Sequence, residues 1–127
     1  MLLVCRFDVP EEAAEQFTAR AAEALALLTA QPGCLRADLA RSMDEPDRYA
    51  LTAEFESVVA YRRALSPFPV REAVVPLLSE AIAEQSGTYE PLLAASGGEV
   101  DRRTSLVASD AFTVRLGEAA EPSSRPR

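Results

Sequence analysis

Apolar and polar positions alternate at the start of the chain. Leu3, Cys5, Phe7 and Val9 fall on one side of residues 2–9, and Leu2, Val4, Arg6 and Asp8 on the other. A two-residue period is that of a β-strand with one buried face. The period then lengthens: Phe17, Ala21, Ala24, Leu25 and Leu28 follow the spacing of a single stripe on a helix. That helix is predicted to run to about Gln31 and to stop at Pro32-Gly33. Asp8 is its expected cap, with Pro10, Glu11 and Glu12 suited to the first turn.

Alternation returns twice. Residues 34–41 place Leu35, Ala37 and Leu39 on one face and Arg36 and Asp38 on the other. After the acidic turn Asp44-Glu45-Pro46-Asp47, residues 48–56 set Tyr49, Leu51, Ala53 and Phe55 against Ala50, Thr52, Glu54 and Glu56. Ser57 is suited to cap a short helix with Val58, Tyr61 and Leu65 on one side. Ser66-Pro67-Phe68-Pro69 breaks that helix, because a residue before proline is pushed out of the helical region. A further helix from Val70 buries Val70, Val74, Leu77 and Leu78, and Pro76 kinks it or marks its last full turn. A fourth strand falls within 83–92, with Tyr89 near its end. The order β-α-β-β-α-β is the ferredoxin-like arrangement of an α+β fold. Its helices cover one face of an antiparallel sheet and leave the other to water or to a second sheet.

Residues 1–96 form the predicted domain, and 97–127 a C-terminal extension. Gly97-Gly98 reads as a hinge, 104–108 and 112–116 as the strands of a short hairpin, and the segment from Gly117 as a disordered tail.

A chain of 127 residues fits one domain, and 48% hydrophobic residues suffice for its core. The net charge of −7 arises within residues 1–96, since acids and arginines balance beyond them. Without a basic stripe there is nothing to neutralise phosphates, so nucleic acid is not an expected partner. No apolar run approaches the roughly 18 residues of a membrane span, and the opening stretch turns acidic too early for a signal peptide. The expected location is the cytoplasm. All 13 basic residues are arginine, which excludes a lysine Schiff base. The absence of histidine removes Ser-His and Cys-His nucleophiles and the commonest ligand of zinc and non-haem iron. Cys5 and Cys34 lie in different predicted strands and read as two reduced, buried thiols. The acidic turn fits no calcium-loop spacing and reads as solvated.

The stretch 31–65, QPGCLRADLARSMDEPDRYALTAEFESVVAYRRAL, resembles the antibiotic-biosynthesis-monooxygenase family. The shared features are Pro-Gly between helix and strand, an Asp/Pro/Arg turn, an aromatic closing the third strand, and a short helix carrying Ala60 and Tyr61 before a Ser-Pro break. The likeness extends more loosely over residues 1–92. It implies a dimeric α/β barrel with a pocket between each sheet and its own helices. Members include cofactor-free oxygenases of aromatic polyketides, quinol oxygenases and haem-degrading enzymes. Phe55 stands where the family usually has tryptophan, and Ala64 and Phe68 where it often has histidine. These departures argue against haem degradation by the usual route.

Among the residues themselves, Tyr49, Phe55 and Tyr61 stand out, with Phe7 and Phe68 as further wall. They either line an apolar pocket, where a phenol orients a quinone or polyphenol, or fill the core. Arg71, near a helix N-terminus, has the fixed charge and planar fork that suit an oxyanion. Arg62 and Arg63 lie about 100° apart on one helix and cannot share a pocket. Arg6, on the uncovered face, would need a partner such as Glu54 if buried there. Together with the resemblance, these residues lead us to expect a homodimeric, cofactor-independent monooxygenase of a small aromatic, polyphenol or quinol. Tyr61 and Arg71 are then its catalytic residues, Tyr49, Phe55, Phe68 and Phe7 line the pocket, and no metal is required. The alternative is a non-catalytic dimeric metabolite-binding or regulatory domain on the same scaffold.

Overall fold

A computed structural model describes residues 1–103. The hairpin expected within 104–116 and the tail beyond it lie outside the described residues. The chain divides into two compact units, Met1–Tyr89 and Glu90–Arg127.

In the first unit, β1 (Leu2–Asp8), α1 (Glu11–Thr29), β2 (Cys34–Arg41), β3 (Arg48–Phe55), α2 (Val58–Ala64), α3 (Phe68–Leu78) and β4 (Gly87–Tyr89) follow in order. The four strands form one antiparallel sheet in the order β2-β3-β1-β4. This is the predicted ferredoxin-like α+β topology, with its second helical segment divided in two. The division follows from the local chemistry. Leu65 and Ser66 leave the helix before Pro67, and α3 restarts at Phe68 with Pro69 in its first turn, where a missing N–H costs nothing. Pro76 falls in the last turn of α3.

The strand faces divide as their alternation requires. Leu3, Cys5 and Phe7 of β1 and Tyr49, Leu51, Ala53 and Phe55 of β3 are buried against Phe17, Ala21, Ala24 and Leu28 of α1 and Val70, Val74 and Leu77 of α3. Each large apolar side chain so buried contributes on the order of 1.5–3 kcal/mol. The opposite face carries Leu2, Val4, Arg6, Ala50, Thr52 and Glu54, all of intermediate exposure.

Three local expectations are corrected. Leu35 does not join Ala37 and Leu39 on the inner face. Cys34 pairs with Phe55 and Arg36 with Glu54, so Leu35 is the extra residue of a β-bulge and is 53% exposed. Asp8 does not cap α1. It remains in the ladder opposite Arg48, with its carboxylate 3.8 Å from the guanidinium, and the extended Pro10 precedes the helix without a side-chain cap. Arg6 lies opposite Ala50 rather than near Glu54, which sits opposite Leu2, and its guanidinium approaches Glu45 of the acidic turn at 4.0 Å.

The chain after α3 returns along β1 before β4 begins. The N–H of Ile82 donates to the Arg6 carbonyl at 2.7 Å, and the Arg6 N–H donates to Ser86 Oγ at 3.0 Å. In the second unit, β5 (Leu93–Ser96) and β6 (Glu99–Arg102) form an antiparallel hairpin. Gly97 and Gly98, expected as a hinge, are its two turn residues. Both have positive φ, +60° and +85°, as a two-residue hairpin turn with right-handed strand twist requires.

Candidate functional site

α2 begins where β3 leaves the sheet. Ser57 is extended, and its Oγ accepts the Ala60 N–H at 3.0 Å, satisfying one orphan donor of the first turn. The Tyr61 N–H donates to the Ser57 carbonyl at 3.1 Å. One side of this short helix faces the core through Ala64, which is buried, and through the partly buried Val58, Tyr61 and Leu65. Arg62 and Arg63 point to solvent in the last turn, where positive charge suits the helix dipole.

The Tyr61 ring meets Phe55 nearly edge-on, with centroids 5.2 Å apart and planes at 66°. Phe55 is 1% exposed at the end of β3. Its N–H donates to the Met1 carbonyl, and its own carbonyl accepts from the Met1 amino group, each at 2.8 Å. Tyr61 therefore rests on a ring that cannot swing away. Burial pushes the Tyr61 phenol above the ordinary tyrosine range, and electrostatic interaction with the Cys5 thiol raises it further. Cys5 is 5% exposed on the inner face of β1, and burial raises its thiol as well.

The Tyr61 hydroxyl has no hydrogen-bond partner among the described residues, and it is not among the buried polar atoms sealed without one. Among the described residues it is thus a neutral, half-buried donor with no acceptor of its own. Among the described residues no charged side chain is buried, and the buried Met1 ammonium is taken up by the Phe55 carbonyl.

The other expected site residues separate. Phe7, Phe17 and Tyr49 stack in a row, with centroid separations of 5.1 and 5.6 Å. Tyr49 shares its strand face with Phe55, but six residues of extended chain put about 20 Å between them. Phe7 and Tyr49 are core residues at the opposite end of the sheet from Tyr61, not walls of one pocket with it. Phe17, which sequence reasoning assigned only to the helix stripe, is the aromatic that joins them. Phe68 opens α3 and is 61% exposed, so it closes no pocket among the described residues. Arg71 is exposed on α3, away from the buried stripe of Val70, Val74 and Leu77, a position that does not support the expected oxyanion role. Of the expected site residues, Phe55 meets Tyr61 and Phe7 meets Tyr49, in two separate places. Cys5, overlooked as a neighbour of Tyr61, lay in the same alternating stripe as Leu3 and Phe7.

Cys5 lies opposite Leu51 and Cys34 opposite Phe55, with β3 between them. Two strand spacings and four residues of offset exceed the roughly 7 Å reach of a disulfide. Both thiols are free.

The sequence profile described as "Antibiotic biosynthesis monooxygenase" matches residues 1–74. No curated protein sequence matches significantly. Among solved structures, SnoaB from Streptomyces nogalater, a cofactor-independent oxygenase, is 29% identical with a TM-score of 0.54, covering 63% of this chain and 80% of its own. A single-site variant of SnoaB gives 30% identity and a TM-score of 0.55, with 64% and 82% covered. A Chloroflexus aurantiacus protein provisionally assigned to the same family shares the fold at 20% identity and a TM-score of 0.59, covering 77% of this chain and 97% of its own.

Proposed function

The chain belongs to the antibiotic biosynthesis monooxygenase family, and from that premise we propose that it is a cofactor-independent monooxygenase of a small aromatic, polyphenol or quinol. The observation that carries the proposal is the Tyr61 phenol. It is neutral, half-buried, braced by Phe55 and, among the described residues, without a hydrogen-bond partner.

The chemistry belongs mostly to the substrate. An electron-rich phenol or anthrone loses a proton, and the resulting anion passes an electron to dioxygen. The two radicals combine at the ring carbon, and the peroxide anion so formed takes up a proton from solvent to give a hydroperoxide. Loss of water then leaves a new carbonyl, so one oxygen atom enters the product and the other leaves as water. All electrons come from the substrate carbon. The protein contributes an apolar environment and one oriented donor. Tyr61 donates a hydrogen bond to the oxygen on which negative charge builds, where a preorganised donor is worth most. In this proposal the initial proton goes to solvent, from a substrate acidic enough to lose it there.

The proposed enzyme acts as a homodimer through the uncovered sheet face. That face presents the apolar Leu2, Val4 and Ala50 beside Arg36 and Asp38, which form an ion pair at 3.1 Å. Among the described residues no helix is long and apolar enough to cross a membrane.

The deciding experiment is turnover of dithranol, a dihydroxyanthrone, by metal-free protein under isotopically labelled dioxygen, beside an enzyme-free control. One labelled atom per molecule of quinone, formed faster than in the control, is the expected result. Oxidation no faster than the control across anthrones, naphthols and hydroquinones would overturn the proposal.

A further inference from the structure

Three contacts fix the first turn of α2. Ser57 caps it, and Phe55 braces the Tyr61 ring. The third lies in the link between α1 and β2. There Gly33 has a φ of +86°, and a β-carbon built on it would stand 2.5 Å from the β-carbon of Ala60. Ordinary contact between carbons begins near 3.5 Å, so the overlap is about 1 Å. Neither atom is the tip of a flexible side chain. Room could come only from moving the backbone of α2 or of the link. The link is itself held: the Gly33 carbonyl accepts the Glu56 N–H at 2.8 Å, and the Cys34 N–H donates to the Gln31 carbonyl at 3.2 Å. Ala60 immediately precedes Tyr61, so any displacement of one carries the other.

We propose that Gly33 is a positioning residue for Tyr61, its missing side chain setting how closely α2 and the phenol it carries approach the sheet. The inference rests on the reading of Tyr61 as the donor of the site, and it adds a residue on a different element that decides where that donor stands. A left-handed backbone alone would explain a glycine in the link. It would not explain the contact with Ala60, which belongs to the helix that bears the phenol.

The test uses the full chain, with tyrosine isotopically labelled at the phenol carbon and its pH titration followed by NMR. There are three tyrosines, each assignable by substitution with phenylalanine. Gly33→Ala should shift the Tyr61 titration toward that of free tyrosine. Adding Ala60→Gly removes the opposing β-carbon and should return Tyr61 to its original titration. With dithranol as the probe, kcat/KM should fall about 100-fold in Gly33→Ala, the scale of a 1 Å misplacement, and recover in the double variant. The strained φ persists in both variants, so simple destabilisation predicts no recovery. Ala60→Val intrudes on the same contact from the helix side and leaves Gly33 intact. It should displace Tyr61 likewise, and it serves if Gly33→Ala does not fold. An unchanged Tyr61 titration in a folded Gly33→Ala or Ala60→Val protein overturns the proposal, as does a double variant that fails to restore it. The NMR readout needs no substrate. If no anthrone is ever turned over while Tyr61 moves and recovers, the oxygenase reading falls and the positioning role stands.

Discussion

Replacing Tyr61 by phenylalanine removes one oxygen atom and leaves the ring. The edge-on contact with Phe55 at 5.2 Å involves only carbon framework and survives the change. The hydroxyl has no hydrogen-bond partner among the described residues, so its removal orphans nothing. Stability should therefore change by no more than about 0.5 kcal/mol. Turnover should behave differently. Deleting one preorganised donor to a developing oxyanion costs about 2.7–4 kcal/mol of transition-state stabilisation, or roughly a 100- to 1000-fold loss of kcat. Oxygen uptake with dithranol, corrected for autoxidation, reads the rate, and a denaturant titration of the same preparation reads the stability. Because burial holds the Tyr61 phenol above the ordinary tyrosine value, the neutral donor persists through neutral pH. Activity that depends on it should decline only above about pH 10. Two results would refute the reasoning. A Tyr61→Phe protein with undiminished rate shows that the phenol is not the donor. A loss of 2 kcal/mol or more shows a hydroxyl with a structural partner.

The remaining expectations concern the rest of the fold. Phe17→Ala empties the middle of the Phe7–Phe17–Tyr49 row and should cost about 3–5 kcal/mol in denaturant unfolding; a loss under 1 kcal/mol would mean that the row is not packed. Arg71→Ala should leave dithranol turnover within about twofold, since the side chain stands in solvent, and a hundredfold loss would return Arg71 to the site. An aromatic disulfide reagent should modify the half-buried Cys34 faster than Cys5, which reacts only on unfolding, with no intramolecular disulfide by mass spectrometry; equal rates would contradict the burial of Cys5. Burial raises both Cys5 and Tyr61 in the folded state, so the unfolded chain releases these protons first. Stability should be full below the unfolded thiol value, near pH 8.5, and fall as pH rises through the folded values. Cys5→Ala should flatten the first part of that fall, and an unfolding midpoint constant to pH 10 would contradict it.

The alternation of β1 and β3, the stripe of α1, the Ser57 cap and the Ser-Pro break at 66–67 were legible because each depends on near neighbours. A strand's period decides which side chains share a face whatever lies beyond it. Proline acts on the residue before it, and a cap acts within one turn. The same local rules placed Tyr61 on the inward side of α2, and they put Phe55 at the end of its strand.

Which inward residues meet is a different quantity, set by strand register and by how helices seat on the sheet. Tyr49 and Phe55 share a face yet stand at opposite ends of it, and the six-residue separation was visible but outweighed by their common chemistry. The bulge that turns Leu35 outward arises from pairing with β3, not from any residue of β2. Arg71 follows the sequence rule for an anion site, but the rotation of α3 that buries Val70, Val74 and Leu77 carries it to solvent. The nearness of Cys5 to Tyr61 and of Gly33 to Ala60 joins residues 56 and 27 positions apart, and no local period encodes either. The sequence by itself determined the elements of the first unit, the inner faces of β1, β3 and α1, and the family, because these follow from patterns of a few residues. Only the tertiary structure decided which of these residues meet, because contact requires distant elements to converge, and their convergence is governed by packing across the whole core.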